Sequence, residues 1–177
     1  MLLNDKDIQL RAIEPEDLDI LYRWENSTDL WIHGNTLAPY SKLMLRQYIN
    51  DSLEMDIFQS RQLRLMIDLI SQQKTIGTID LYEIDPHNRR AGIGILIDEE
   101  YRQRGYAYQA LSLMERYTFD HLYLHQLFAY ISTKNKPSID LFTKSGYKEI
   151  GVLSDWIQKG ENYEDVIIVQ LINNKKK

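Results

Sequence analysis

The sequence predicts one α+β domain, with helices near its front, strands in its middle, and two later helices interleaved with strands. Three patterns predict it. Apolar residues recur at helical spacing soon after the start. From Gln62 to Ile97 they alternate with polar ones, as on half-buried strands. Beyond Gly105 the two periods follow one another. A chain of 177 residues with 44% hydrophobic and 27% charged residues fits a single globular domain with a sizeable core.

Ile8, Leu10 and Ala12 alternate with polar residues and mark a first strand. Pro15 suits the first position of a helix, where an N–H has no partner, and Glu16 and Asp17 complement the positive end of the helix dipole. Leu18, Leu21 and Tyr22 continue that helix. Residues 27–40 hold Asn, Gly and Pro and read as a loop. A second helix is expected from Ser41 to about Ser52, with Leu43, Leu45, Tyr48 and Ile49 as its apolar contacts. Leu63, Leu65, Ile67 and Leu69 alternate on the next strand, Ser71-Gln72-Gln73-Lys74 forms a hairpin loop, and Ile76 to Ile84 returns.

After the turn Asp85-Pro86-His87-Asn88, Arg90 to Ile97 is the central strand; Gly92 and Gly94 within it imply a bulge or a close backbone approach. The helix after Gly105 carries Ala107, Ala110, Leu111, Met114 and Tyr117 on one stripe. Leu127 to Ile131 is a strand. A helix from Pro137 ends at Gly146, which suits the left-handed position after a helix. Strands over 147–153 and 164–172 close the fold. The alternating Tyr163–Leu171 segment fits a homodimer edge or an internal sheet position equally. Residues 1–174 form the domain and Lys175-Lys176-Lys177 a frayed basic tail.

Composition removes several chemistries. There is no cysteine, which excludes disulfides, thiol nucleophiles and cysteine metal sites. A net charge of −5 disfavours nucleic acid as a general partner. No apolar run approaches the ~20 residues of a membrane span. The start, Met-Leu-Leu-Asn-Asp-Lys, lacks the apolar core of a signal peptide, so a cytoplasmic location is expected. The histidines are His33, His87, His121 and His125. His121 and His125 have the i, i+4 spacing of a metal pair, but no H-E-x-x-H pattern accompanies them, and they read as structural.

The stretch Arg102-Gln103-Arg104-Gly105-Tyr106-Ala107 joins a strand to a helix start. Backbone N–H groups at a helix start lack internal partners and, with the dipole, favour a pyrophosphate. Gly105 permits close approach to the backbone. Arg102 and Arg104 add charge and forked donors. Neither a P-loop nor a dinucleotide G-x-G-x-x-G is present.

This turn resembles the [Q/R]-x-x-G-x-[G/A] signature of the GNAT superfamily of acetyl-CoA-dependent N-acetyltransferases. Two further blocks, in the family's order, strengthen the resemblance: Leu10-Arg11-Ala12-Ile13-Glu14-Pro15-Glu16-Asp17-Leu18, and Asn135 through Tyr147, which is similar to the N-x-x-[SA]-I-x-[LI]-[YF]-x-K-x-G-[FY] segment. Glu83-Ile84 and Arg89-Arg90-Ala91 resemble the bacterial spermidine/spermine and ribosomal-protein N-terminal acetyltransferases.

The resemblance implies a mixed, mostly antiparallel twisted sheet flanked by helices. Its splayed central strands would admit the pantetheine arm of acetyl-CoA, the cosubstrate. It also implies that the backbone of Ile95, Leu96 and Ile97 pairs with the pantetheine amides, that the 102–107 turn holds the pyrophosphate, and that Asn135 lies beside the arm. Lys144 is either a phosphate ligand or a solvated lysine. Glu25 and Trp31 fall where the family binds its acceptor, and Trp24 and Trp156 are further candidates for an aromatic pocket, against a packing role.

Phe142 stands where many members carry the tyrosine that protonates the departing thiolate. Phenylalanine donates no proton. Water serves instead, since a thiol of pKa ~8.5 leaves readily near neutral pH, or Tyr147, Tyr108 or Tyr106 substitutes, or the protein is a non-catalytic acyl-CoA-binding module. An alkyl amine of pKa ~10.4 is protonated at neutral pH and needs a base before it can attack. Asp80 and Glu83 are the candidates, placed by alternation on opposite faces. The acceptor is a polyamine, another small amine or a protein N-terminus.

Overall fold

A computed structural model describes residues 2–31 and 36–174. Seven strands form one sheet in the order β1-β2-β3-β4-β5-β7-β6. They are β1 Ile8–Ala12, β2 Leu63–Leu69, β3 Lys74–Asp85, β4 Arg90–Ile97, β5 Gln126–Ser132, β6 Lys148–Lys159 and β7 Asn162–Ile172. The helices are α1 Leu18–Glu25, α2 Thr28–Trp31, α3 Lys42–Glu54, α4 Ile57–Ser60, α5 Tyr106–Asp120 and α6 Lys136–Lys144. No helix among the described residues is long and apolar enough to cross a membrane.

Every strand pairing is antiparallel except β4 with β5, which is parallel and covers only Arg90↔Gln126, Ala91↔Leu127 and Gly92↔Phe128. Beyond Gly92 the two strands part. The α5 face of the sheet is packed with Ile79, Leu81, Ile93, Leu111 and Met114, all buried. A second cluster, Ile13, Leu21, Trp24, Ile49 and Met66, packs α1 and α3 on other sheet residues. Arg11 ties the front together: it donates to Asp17 at 2.7 Å and to Asp68 at 2.7 Å, and so pairs the carboxylate of Asp17, which is only 5% exposed. A buried carboxylate without such a partner would be costly.

Local chemistry sets the helix starts. Pro15 opens a 3-10 turn, Pro15–Asp17, that leads into α1. The Ser41 hydroxyl accepts from the Met44 N–H and caps α3. The Asp56 carboxylate accepts from the amides of Phe58 and Gln59 and caps α4. Gly105 precedes α5 with φ 83, and Gly146 follows α6 with φ 88.

Several expectations change. The 27–40 segment is not all loop, because Thr28–Trp31 closes a helical turn. Leu43 is 74% exposed; Leu45 and Ile49, four residues apart, carry the buried side of α3. Of the two readings of the β4 glycines, the close approach holds at Gly92, against the Tyr82 ring, while the bulge lies opposite, where the register shifts between Tyr82 and Asp85 and Glu83 takes φ 49. β7 is internal, between β5 and β6, so the 163–171 segment is no dimer edge; β6 is the edge strand at that end of the sheet and β1 at the other. His121 ends α5 and His125 precedes β5, so they share no helix face. His33 and the 175–177 tail lie outside the described residues.

Candidate active site

A cleft of about 710 Å³ runs along β4 where that strand has left β5. Gly94, Ile95, Leu96 and Ile97 line it. Past Ile97 the chain makes the 102–107 turn, and Arg102, Gln103, Gly105, Tyr106 and Ala107 reach the same cleft, with Lys144 from α6. The turn is built by two left-handed residues, Gln103 at φ 60 and Gly105 at φ 83. A Cβ on Gly105 would meet nothing within 4 Å, so this backbone faces open space. No side chain caps α5, so its first amides stay available to an anion. Arg102 donates to the Ile97 carbonyl at 3.0 Å. Arg104 does not line the cleft; its guanidinium lies 5.6 Å from the Tyr101 ring centre.

Asp80 sits opposite Gly94 on β3 and marks the other part of the cleft, with Glu25, Leu30, Trp31 and Arg64. Arg64 joins the acids. Its Nε and a terminal nitrogen donate to the two oxygens of Asp80 at 2.7 and 3.0 Å, and its other terminal nitrogen donates to Glu25 at 2.6 Å. The Tyr48 ring lies 5.5 Å from the guanidinium. Trp31 donates its indole N–H to the Glu25 carbonyl at 2.6 Å. Trp24, only 6% exposed, donates to Asp98 at 2.9 Å and also lines the cleft.

A second cavity of about 330 Å³ shares Gly94, Ile95, Asn135 and Ser138 with the first. Its walls include Tyr82, Tyr130, Phe142 and Trp156. Asn135 therefore faces both spaces while its side chain caps α6 by accepting from the Ser138 amide. Gly92 lets the Tyr82 ring lie against β4: a Cβ there would fall 2.2 Å from the ring. Burial pushes the Tyr82 phenol up to about 12, so it stays neutral near pH 7.

The two candidate bases separate. Asp80 is in the cleft; Glu83 is exposed at the bulge and lines neither cavity. Phe142 is 3% exposed and borders the second cavity. Of the tyrosines expected to replace its missing hydroxyl, Tyr106 and Tyr108 line the cleft, but Tyr147 does not. It is 4% exposed, packs edge-on against Phe142 at 4.9 Å and points toward Glu115. Lys144 sits 5.0 Å from the Tyr108 ring centre at the cleft.

Sequence reading did not single out Arg64, Tyr82 or Tyr130. Strand alternation gives Arg64 its face, but the partner Asp80 depends on a register shift between Ile67 and Asp68. Counting straight back from the hairpin loop would pair Arg64 with Ile79 instead.

The acetyltransferase (GNAT) domain profile matches residues 7–148. This chain is a GNAT acetyltransferase. Relatives agree over almost its whole length. The spermidine N(1)-acetyltransferase of Vibrio cholerae is 23% identical over 176 residues, 97% of this chain and 96% of that one. The crystal structure of the spermidine N-acetyltransferase from Vibrio cholerae in complex with CoA and spermine superposes with a TM-score of 0.86 at 24% identity, covering 95% of this chain and 96% of that one. The ribosomal-protein-S5-alanine acetyltransferase of Vibrio fischeri gives 0.84 at 19% identity, covering 98% and 97%. At these identities the structural likeness shows the fold. The GNAT chain is an acetyl-CoA-dependent N-acetyltransferase, and the expected mixed, mostly antiparallel sheet is the one observed.

Proposed function

We propose that this acetyltransferase moves the acetyl group of acetyl-CoA directly to a small primary amine bound beside Asp80. One observation carries this reading: the parted β4 edge, the 102–107 turn at the start of α5 and the Glu25–Arg64–Asp80 group open into a single cleft. The turn and Lys144 suit the phosphate-bearing end of the cosubstrate. The edge over Ile95–Ile97, which no strand of the sheet pairs on the β5 side, suits its amide-bearing arm, and N–H donors there would stabilise the developing oxyanion.

In this reading the acceptor ammonium loses a proton to Asp80, directly or through water. The free amine nitrogen bonds to the acetyl carbonyl carbon, the carbon–sulfur bond breaks, and the CoA thiolate departs and is protonated by water. Asp80 is the better-placed base than Glu83, because only Asp80 borders the cleft. Water serves as the acid in this reading, since Phe142 has no hydroxyl and Tyr147 is turned away from both cavities; Tyr106 and Tyr108, which line the cleft, are the alternative donors. A peptide N-terminus is the second acceptor class, and it belongs in the test.

The test is acetyl-CoA-dependent thiol release across amines and short peptides, with acetyl-CoA binding measured in the same samples. Release with primary amines, reduced at least tenfold by Asp80→Asn with an altered pH–rate profile, is the expected result. Binding without release for any acceptor would leave a non-catalytic acyl-CoA-binding module. An unchanged profile in Asp80→Asn would remove the carboxylate base.

A further inference from the structure

We infer that Arg64 limits the acceptor end of the cleft to one ammonium group, so that the preferred acceptor is a monoamine with an apolar or aromatic body rather than a polyamine. This rests on the acetyl transfer proposed above and names its substrate class.

The charges around the cleft decide the matter. Glu25 and Asp80 are the only acids among the described residues that line either cavity, and both are bound to Arg64. The three side chains are 24%, 27% and 21% exposed, respectively, so water screens them only in part. Two carboxylates and one guanidinium leave one net negative charge, enough for one ammonium. Arg64 is held on three sides, by a forked pair to Asp80, by Glu25 and by the Tyr48 ring. Moving it aside would break all these contacts.

A second or third ammonium would find no further carboxylate in the lining of either cavity among the described residues. The remaining charged groups lining the cleft are Arg102 and Lys144, both cations. Two acids outside the cavity walls are already occupied: Asp98 pairs with Arg23 at 2.5 Å, and Glu164 with Lys134 at 3.2 Å. The adjoining cavity offers Tyr82, Tyr130, Phe142 and Trp156 and no acid. An unpaired ammonium driven into such a space pays for lost hydration without a partner. An apolar or aromatic body gains there by burial. A fixed guanidinium thus rejects polycations while tolerating one amine.

The experiment compares kcat/KM for thiol release with spermidine and with 2-phenylethylamine, in the wild type, Arg64→Met and Arg64→Lys. The wild type is expected to favour 2-phenylethylamine at least tenfold. Arg64→Met, which removes the competing cation, is expected to shift that ratio toward spermidine at least tenfold, mainly through KM. Arg64→Lys keeps the charge and is expected to hold the wild-type ratio within about threefold. Taking a ratio cancels any common loss from a disturbed Asp80. The wild-type comparison stands even if Arg64→Met fails to fold. A wild type that prefers spermidine overturns the inference while leaving acetyl transfer intact, as does an unchanged ratio in folded Arg64→Met. No release with any primary amine, with acetyl-CoA bound, overturns the transfer reading and this inference together.

Discussion

Glu115 on α5 should make the protein less stable as pH rises from about 4.5 toward neutrality. Burial pushes its carboxyl from 4.5 to about 7, against the opposing pull of the Tyr147 hydroxyl, and its Oε1 has no hydrogen-bond partner. Between those values the folded protein keeps a proton that the unfolded chain has released. Folding stability therefore falls with pH by about 1.4 kcal/mol per pH unit across the interval and is flat above it. The full loss is at most about 3.5 kcal/mol, or about 7–14 °C in Tm for a chain of this size. Glu115→Gln removes the titration. Thermal melts of both proteins from pH 4 to pH 8 should diverge upward from about pH 5, with the variant ahead by several degrees at pH 8. Melting curves that stay parallel across the range would refute the reasoning, since a purely steric effect of the amide is independent of pH.

Two other substitutions probe the cosubstrate side. Gly105→Trp projects a ring into the open space before α5 and should abolish acetyl-CoA binding by calorimetry while the circular dichroism spectrum is kept; the left-handed φ of 83 should cost about 1–2 kcal/mol of stability. Undiminished affinity would remove the turn from the site. Phe142→Tyr restores a hydroxyl beside the second cavity and should retain or raise turnover in the thiol-release assay, whereas a large loss would show that this position does not serve the leaving group.

Much of this was legible because period and punctuation agree. Alternation gave β2 and β3, Pro15 marked the first helical turn, and Gly105 and Gly146 bracket helices at left-handed positions that only glycine adopts easily. The short elements α2 and α4 escaped, since four residues hold too little apolar periodicity to register. On α3, Leu43, Met44 and Leu45 are consecutive, and only packing decides that Leu45 is the inward one. The 102–107 turn was visible as a local motif. The Glu25–Arg64–Asp80 group was not, because Arg64 meets Asp80 through a bulge and meets Glu25 across 39 positions of chain.

The three-pair seam between β4 and β5 has a mechanical consequence. It divides the sheet into a four-stranded half, β1–β4, and a three-stranded half, β5–β7, joined by one short ladder. The cleft draws Ile95–Ile97 and Asp80 from the first half, and Asn135, Ser138 and Lys144 from the chain that follows β5. Whatever occupies it therefore acts as a cross-brace between two halves that the backbone barely stitches together. Occupancy is then a structural load path as well as a chemical event. A ligand at 100 times its Kd would add about 2.7 kcal/mol of cohesion to the whole fold, and the empty protein would be looser along that seam.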